Sequence, residues 1–204
     1  MITVKSQIFG ELGNNCYLVT DKETNLSALI DCTEFSDKMC EFIGDAKLEY
    51  IILTHGHFDH IGGVSDVKQK YGAKVVICAA DEEMLSSSKA SLAAFCGFPH
   101  KKAEADIVVF DNDNISLGKT DIKVVATPGH TKGCVCYLID NYMFSGDTLF
   151  KRSCGRTDLP HSSKDDMLKS LQKLKNLDGD YKVLTGHGES TTLNYEREYN
   201  QYMR

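Results

Sequence analysis

The chain reads as one α+β domain spanning residues 1–204, and three features carry that expectation. It opens on consecutive β-type runs joined by short turn signals. It then alternates strand-like and helix-like segments to about residue 78. After a stretch of mixed character strand runs return, followed by amphipathic helical segments near the end. No repeat, low-complexity segment or linker composition interrupts the chain, and 42% hydrophobic content suffices for a sizeable core.

In order, Ile2–Phe9 and 15–20 read as strands separated by the turn-forming pair Gly13-Asn14. A third strand, Leu26–Ile30, ends at Asp31. Ser36 is a capping residue and Gly44 a stop, and they bracket a helix. The run Tyr50-Ile51-Ile52-Leu53 is too short and too β-rich to prefer a helix. Gly62 and Gly63 lack Cβ atoms, so the chain can turn tightly there into a helix over 61–71. Lys74–Cys78 is the next strand.

Residues 79–105 break the rhythm with Asp81-Glu82-Glu83, three serines at 86–88, an apolar helix-like piece over 90–95 and Phe98-Pro99-His100. They suit a cover over a pocket or, equally, a surface helix pair. Strands are expected again at 107–110, 115–117, 122–126, Val135–Ile139 and 142–144, with Asn112-Asp113-Asn114 and Asp140-Asn141 as hairpin turns. Met167, Leu168, Leu171 and Leu174 form one face of a helix over 165–174. A last strand at 181–184 and a helix over 194–203 close the chain.

The net charge of −6 includes no long single-sign run, which argues against a nucleic-acid or membrane partner. The N-terminus lacks a basic-then-apolar signal pattern, and no apolar stretch approaches the length of a membrane span. Eight cysteines without disulfide-framework spacing point to reduced thiols and a cytoplasmic location. Cys134 and Cys136, two apart on a strand, read as small buried hydrophobes. Nothing in the sequence speaks to oligomeric state.

The chemistry centres on Thr54-His55-Gly56-His57-Phe58-Asp59-His60. His55 and His57 alternate by two, so an extended backbone can aim both rings one way. Asp59 and His60 follow a turn and point elsewhere. Ligand-type residues aimed in two directions suggest two ions side by side. A lone histidine is usually solvated or hydrogen-bonded, but this cluster would make poor core and an odd surface. Three later strands also end on ligand-type residues: Thr127-Pro128-Gly129-His130, Ser145-Gly146-Asp147 and Thr185-Gly186-His187. A glycine precedes each one, giving the backbone room at a crowded ion site. Strand ends are rigid supports for such groups. His100 and His161 fall outside the pattern and read as surface residues.

This set of motifs resembles the metallo-β-lactamase superfamily over nearly the whole chain. Ser145–Phe150 together with Cys154-Gly155-Arg156-Thr157-Asp158-Leu159-Pro160 resembles its compact bacterial glyoxalase II-like branch, whose hydroxyacylglutathione hydrolases cleave thioesters. The resemblance implies a four-layer αβ/βα sandwich, two mostly antiparallel or mixed sheets between helices. It implies two divalent ions, zinc first, with iron or manganese as alternatives. His55, His57 and His130 would hold the first ion. Asp59, His60 and His187 would hold the second, and Asp147 would bridge them. Asp31 would orient a ligand from behind, with a turn-capping role as the plain alternative. A hydroxide shared by the ions would be the nucleophile, with Asp59 and Asp147 as the catalytic carboxylates. Two dications, these carboxylates and one hydroxide sum to roughly +1, which favours a small anionic substrate.

The sequence departs from the branch where it grips its thiol carrier. The basic position is kept as Arg156, but the aromatic position two residues on is Asp158, and Glu189 stands where a tyrosine is expected. Little sequence follows the last histidine motif, so most of the branch's longer helical C-terminal part is expected to be absent. A glutathione thioester is therefore expected to be held weakly. Persulfide dioxygenases share the resemblance and would hold one iron on His55, His130 and Asp147. A non-catalytic metal-binding protein is the third reading.

Overall fold

A computed structural model describes all residues, Met1–Arg204. The first sheet is built by β1 (Ile2–Phe9), β2 (Asn14–Asp21), β3 (Leu26–Ile30), β4 (Lys47–Ile52), β5 (Lys74–Cys78) and β6 (Ile107–Val109), in spatial order β1 to β6. The first three strands pair antiparallel and the rest parallel. The switch has a chain-length cause. Turns join the antiparallel strands, whereas helices carry the crossovers between parallel ones. Those are α1 (Asp37–Ile43) between β3 and β4, and α2 (Phe58–Ile61) and α3 (Val64–Tyr71) between β4 and β5.

Beyond β5 come a 3-10 helix, Ala79–Leu85, and α4 (Ala93–Cys96). The second sheet uses β7 (Asn114–Leu117), β8 (Thr120–Ala126), β9 (Val135–Ile139) and β10 (Tyr142–Gly146). A small ribbon of β11 (Leu149–Phe150) and β12 (Ser153–Cys154) and the helix α5 (Lys164–Lys175) precede its remaining strands, β13 (Lys182–Thr185) and β14 (Thr191–Thr192). The order is β14-β13-β10-β9-β8-β7, and α6 (Leu193–Tyr199) follows.

The interior strands bury both faces, so their side chains feed two different cores. Val19, Ile30, Ile52 and Val76 of the first sheet meet Val124, Tyr137, Ile139 and Phe144 of the second. On the outer face of the first sheet, Leu29, Ile51 and Ile77 pack under Met39, Phe42, Val64 and Val67 of the helices. On the outer face of the second, Val125, Leu138 and Met143 pack under Met167, Leu171 and Leu174. Each full burial is worth about 1.5–3 kcal/mol per side chain. The result is the expected helix–sheet–sheet–helix sandwich. Cys134 and Cys136 are buried free thiols. No helix is long and apolar enough to cross a membrane.

Three expectations need correction. The helix expected over 61–71 begins only at Val64, after a separate short helix that ends at Ile61; between them Gly62 and Gly63 press against main-chain oxygens of Thr33 and Glu34 where a Cβ would collide. Main-chain hydrogen bonds join the segments there: Cys32 N–H donates to His60 O at 2.8 Å and Gly63 N–H to Cys32 O at 2.9 Å. Residues 90–95 do not form a helix through their length, since Leu92 sits in the left-handed region (φ 67°) and α4 begins only at Ala93. The terminal helix stops at Tyr199 instead of continuing to 203.

Asp21 ties the sheets together at the edge away from the site. Its carboxylate accepts from the amides of Glu23 (2.7 Å), Thr24 (3.1 Å) and Lys119 (2.8 Å) and from the Thr120 hydroxyl (2.9 Å). Burial alone would raise its pKa, but these donors outweigh it and hold the carboxyl well below its ordinary range. A depressed folded-state pKa contributes stability above the unfolded value, near 4, that is lost as pH falls through the folded value. Asp21→Asn is therefore expected to lower Tm more at pH 7 than at pH 2.5. A gap independent of pH would show that the carboxylate's charge contributes nothing.

Candidate metal centre

The two sheets converge at one edge, and the loops leaving their strands meet there. Past β4, Leu53 N–H still donates to Val76 O (2.9 Å), so the segment carrying His55 and His57 leaves from a fixed point. Their ring centroids lie 4.9 Å apart, on one side. Asp59 and His60 lie on α2, after the turn. His130, Asp147 and His187 come from the second sheet. Gly186 is required by space, since a Cβ there would strike Asp147 Oδ1 and the His60 ring. Gly146 is required by both conformation (φ 46°) and the Thr54 side chain pressed against it.

Each ring is held from behind, and the identity of the holder sets the tautomer. His130 Nδ1 donates to Arg156 O at 2.9 Å, and His187 Nδ1 donates to Leu12 O at 3.1 Å; a carbonyl can only accept. His60 Nδ1 donates to Asp31 Oδ2 at 2.9 Å. The Thr54 hydroxyl donates to the same carboxylate oxygen at 2.9 Å, so it accepts from His55 Nδ1 at 3.2 Å. In all four rings Nδ1 thus carries a proton and Nε2 is the atom turned inward, with a lone pair to offer whenever the ring is neutral. His57 is the exception: its Nδ1 faces inward, 2.9 Å from His130 Nε2.

The inward atoms fall into overlapping ligand groups: His55, His57 and His130; His55, His60 and Asp147; and Asp59, His60 and His187. Asp147 Oδ1 is 3.5 Å from His60 Nε2, while its Oδ2 is 3.5 Å from His130 Nε2 and 3.6 Å from His187 Nε2. One carboxylate therefore faces both outer groups. Asp59 Oδ2 stands 3.3 Å from His187 Nε2 and 3.6 Å from His60 Nε2.

Four polar atoms of these residues, His55 Nε2, His57 Nε2, His60 Nε2 and Asp147 Oδ1, are buried without a hydrogen-bond partner. Each such group costs about 1–3 kcal/mol unless something satisfies it. Apart from His57 Nε2, whose ring offers Nδ1 to the cluster, these orphans suit cations bound between them. The electrostatics agree. Burial, then the neighbouring imidazoles His60, His57 and His130, push His55 far below its usual pKa, so its lone pair is available. Burial and His130 likewise bring His57 to about 3. Burial opposes a charge on His60, but Asp31, Asp59 and Asp147 outweigh it and push the ring up to about 10. The same carboxylates draw positive charge, whether a proton or a cation, to its inward Nε2.

Asp31 is 2% exposed and adopts a left-handed backbone (φ 58°). Its carboxylate joins Thr54 to His60, which is the orienting geometry. The Arg156 guanidinium forks onto Asp158 at 2.7 and 2.8 Å on the surface, and its main-chain oxygen holds His130. His161 is exposed, but His100 is half-buried beneath residues 79–105, its Nδ1 3.3 Å from Ser91 Oγ.

Three polar residues at the site carry no motif signal. Asn14 Nδ2 donates to Asp59 Oδ2 at 2.9 Å, and Asn15 Nδ2 donates to Thr185 O and Gly188 O at 3.1 and 3.0 Å. Asp81 accepts from Gly56 N–H, Thr131 Oγ1 and Gly133 N–H, joining the His55–His57 and His130 loops. Their only sequence trace is a polar residue in an otherwise buried strand or helix.

The metallo-β-lactamase superfamily pattern matches residues 9–187, and the chain belongs to that family. A hydroxyacylglutathione hydrolase, GloC, of Haemophilus influenzae is 30% identical over 93% of this chain and 92% of its own. An uncharacterized protein of Aquifex aeolicus is 32% identical over 95% and 93%. Among solved structures, BLEG-1 B3 metallo-β-lactamase superposes with a TM-score of 0.92 at 27% identity, covering 98% of this chain and 99% of that one. TTHA1623 in a di-iron-bound form gives 0.85 at 30%, covering 97% and 99%. ETHE1 from Myxococcus xanthus gives 0.81 at 26%, covering 98% and 83%.

Proposed function

We propose that the chain is a metal-dependent hydrolase of small thioesters that holds two divalent ions, zinc foremost, in the cytoplasm. The observation that carries this reading is the convergence of seven ligand-type residues around buried, unpartnered nitrogen and oxygen atoms. Similarity to hydroxyacylglutathione hydrolases supports the reaction class. Eight unpaired cysteines suit a reducing compartment.

In this reading His55, His57 and His130 hold one ion, Asp59, His60 and His187 hold the other, and Asp147 spans them. When bound, the ions supply an electrophile for the carbonyl and acidify water toward neutral pH. The protein's own groups do the rest. Asp31, Thr54 and the carbonyls of Arg156 and Leu12 fix ring orientation before anything binds, so no reorganisation is needed during reaction. Asp59 is kept anionic: burial opposes this, but His60, the His187 contact and Asn14 prevail. Its Oδ2 faces two ligand rings, His187 at 3.3 Å and His60 at 3.6 Å. No serine or cysteine stands in a triad-like setting that would replace this chemistry.

His187→Ala separates the two ligand groups. It is expected to leave one ion per chain and to cut thioester turnover by about a hundredfold or more. Metal analysis and a thioester assay on the same sample check this. Full turnover with a single ion would overturn the two-ion mechanism. Similarity to ETHE1 keeps a second reading, a persulfide dioxygenase with one iron on His55, His130 and Asp147.

A further inference from the structure

A cleft of about 430 Å³ runs outward from Asp59, between the β1–β2 turn, the loop after β3, the α2–α3 junction and residues 98–101. We propose that it receives the arm of the substrate and is built for an uncharged or cationic arm with an apolar group, not for an anionic carrier. This rests on the hydrolase reading for the reaction but not for the binding.

Three observations carry it. The first is aromatic. Phe58, next to Asp59, stacks on Phe98 with centroids 4.7 Å apart and planes at 28°. Leu12 and Phe35 also line the cleft while remaining 53% and 42% exposed. Such apolar surface beside a reaction centre favours a flat or aliphatic group over water.

The second is charge. Glu11, Glu34, Asp59 and Asp66 line the cleft, and Lys101 is its only cation. Lys101 is already paired with Asp66. Glu34 accepts only from the Ser36 hydroxyl, at 2.8 Å, and no cation pairs with Glu11. Arg156 lies outside the cleft and is engaged by Asp158. A glutathione arm would bring its carboxylates against unmatched glutamates. Bound ions would place positive charge at the reacting carbonyl, so the centre and the cleft would select different parts of one substrate.

The third is Asn14, which lines the cleft and is fully buried. Its Nδ2 is committed to the Asp59 carboxylate, an acceptor only, which fixes the orientation of the amide. Its Oδ1 is therefore a buried acceptor with no partner. An amide N–H on the arm would satisfy it.

The test measures binding by calorimetry at low ionic strength, using metal-loaded protein and three thioethers that share a benzyl group. They are S-benzyl-N-acetylcysteamine (neutral, one N–H), S-benzylthiocholine (a cation whose quaternary nitrogen cannot ligate metal) and S-benzylglutathione (anionic). The first two are expected to bind roughly tenfold tighter than the third. In the double variant Glu11→Gln/Glu34→Gln that gap should close, and Phe98→Ala should weaken all three. Equal or tighter binding of the glutathione conjugate overturns the proposal, as does no binding by any of the three. Because the ligands are not cleaved, the preference stands or falls separately from hydrolysis. If the preference is found but thioesters are not turned over, the hydrolase reading fails alone. A glutathione thioester turned over with a low-micromolar KM would sink the cleft proposal and leave the hydrolase.

Discussion

Asp147→Asn is expected to strip both ions and lower thioester turnover by about a thousandfold or more. Asp147 is 8% exposed, and its carboxylate reaches both ligand groups: Oδ2 lies between His130 of one and His187 of the other, and Oδ1 faces His60. A carboxylate can serve cations on both sides at once. An amide of the same shape is neutral and directs N–H donors at one of them, so both neighbours lose a ligand together. The change should leave the fold intact, because no strand or helix depends on this side chain. Thermal unfolding in a chelator should then be nearly the same for variant and wild type, while metal per chain differs. Undiminished occupancy at both positions would show that Asp147 does not span them.

The second large effect is on Asp31. Its Oδ1 accepts from Thr54 N–H at 2.8 Å, and its Oδ2 accepts from both the Thr54 hydroxyl and His60 Nδ1 at 2.9 Å. Asp31→Ala leaves three buried donors without a partner. It also places an alanine in a left-handed backbone conformation, which disfavours a Cβ without a compensating local hydrogen bond. Removing one partner of a buried charged cluster costs on the order of 3–5 kcal/mol. At about 2–4 °C per kcal/mol for a chain of this size, Tm should fall by roughly 10 °C. Asp31→Asn isolates the orienting role, because asparagine tolerates the left-handed conformation. That variant should fold, yet bind the ion at Asp59, His60 and His187 about 10–100-fold more weakly in a chelator competition. Unchanged affinity would reduce Asp31 to the turn-capping role that the sequence also allowed.

Much of this centre is legible in the sequence because its residues sit where local rules operate. HxHxDH after a β run, and glycine before His130 junction residues, Asp147 and His187, mark strand ends, and strand ends are where side chains meet across two sheets. The site roles of Asn14, Asn15 and Asp81 leave no local mark, for a physical reason. Each acts only through contacts made after the sheets pack, from positions 25 to 173 residues away in sequence. Local patterns carry no trace of such pairings. The Gly62-Gly63 break is similar: a flexible pair permits a helix start, but the neighbouring main chain of Thr33 and Glu34 turns it into an interruption. Arg156 and Asp158 lie only two residues apart, and the structure pairs them in an exposed fork.

The most direct test of the central claim is metal content per chain, measured with thioester hydrolysis on protein purified without added metal. Two divalent ions per chain are expected, removed by chelation together with activity and restored together on reloading with zinc. One iron per chain, with oxygen uptake on a persulfide and no thioester hydrolysis, would contradict it.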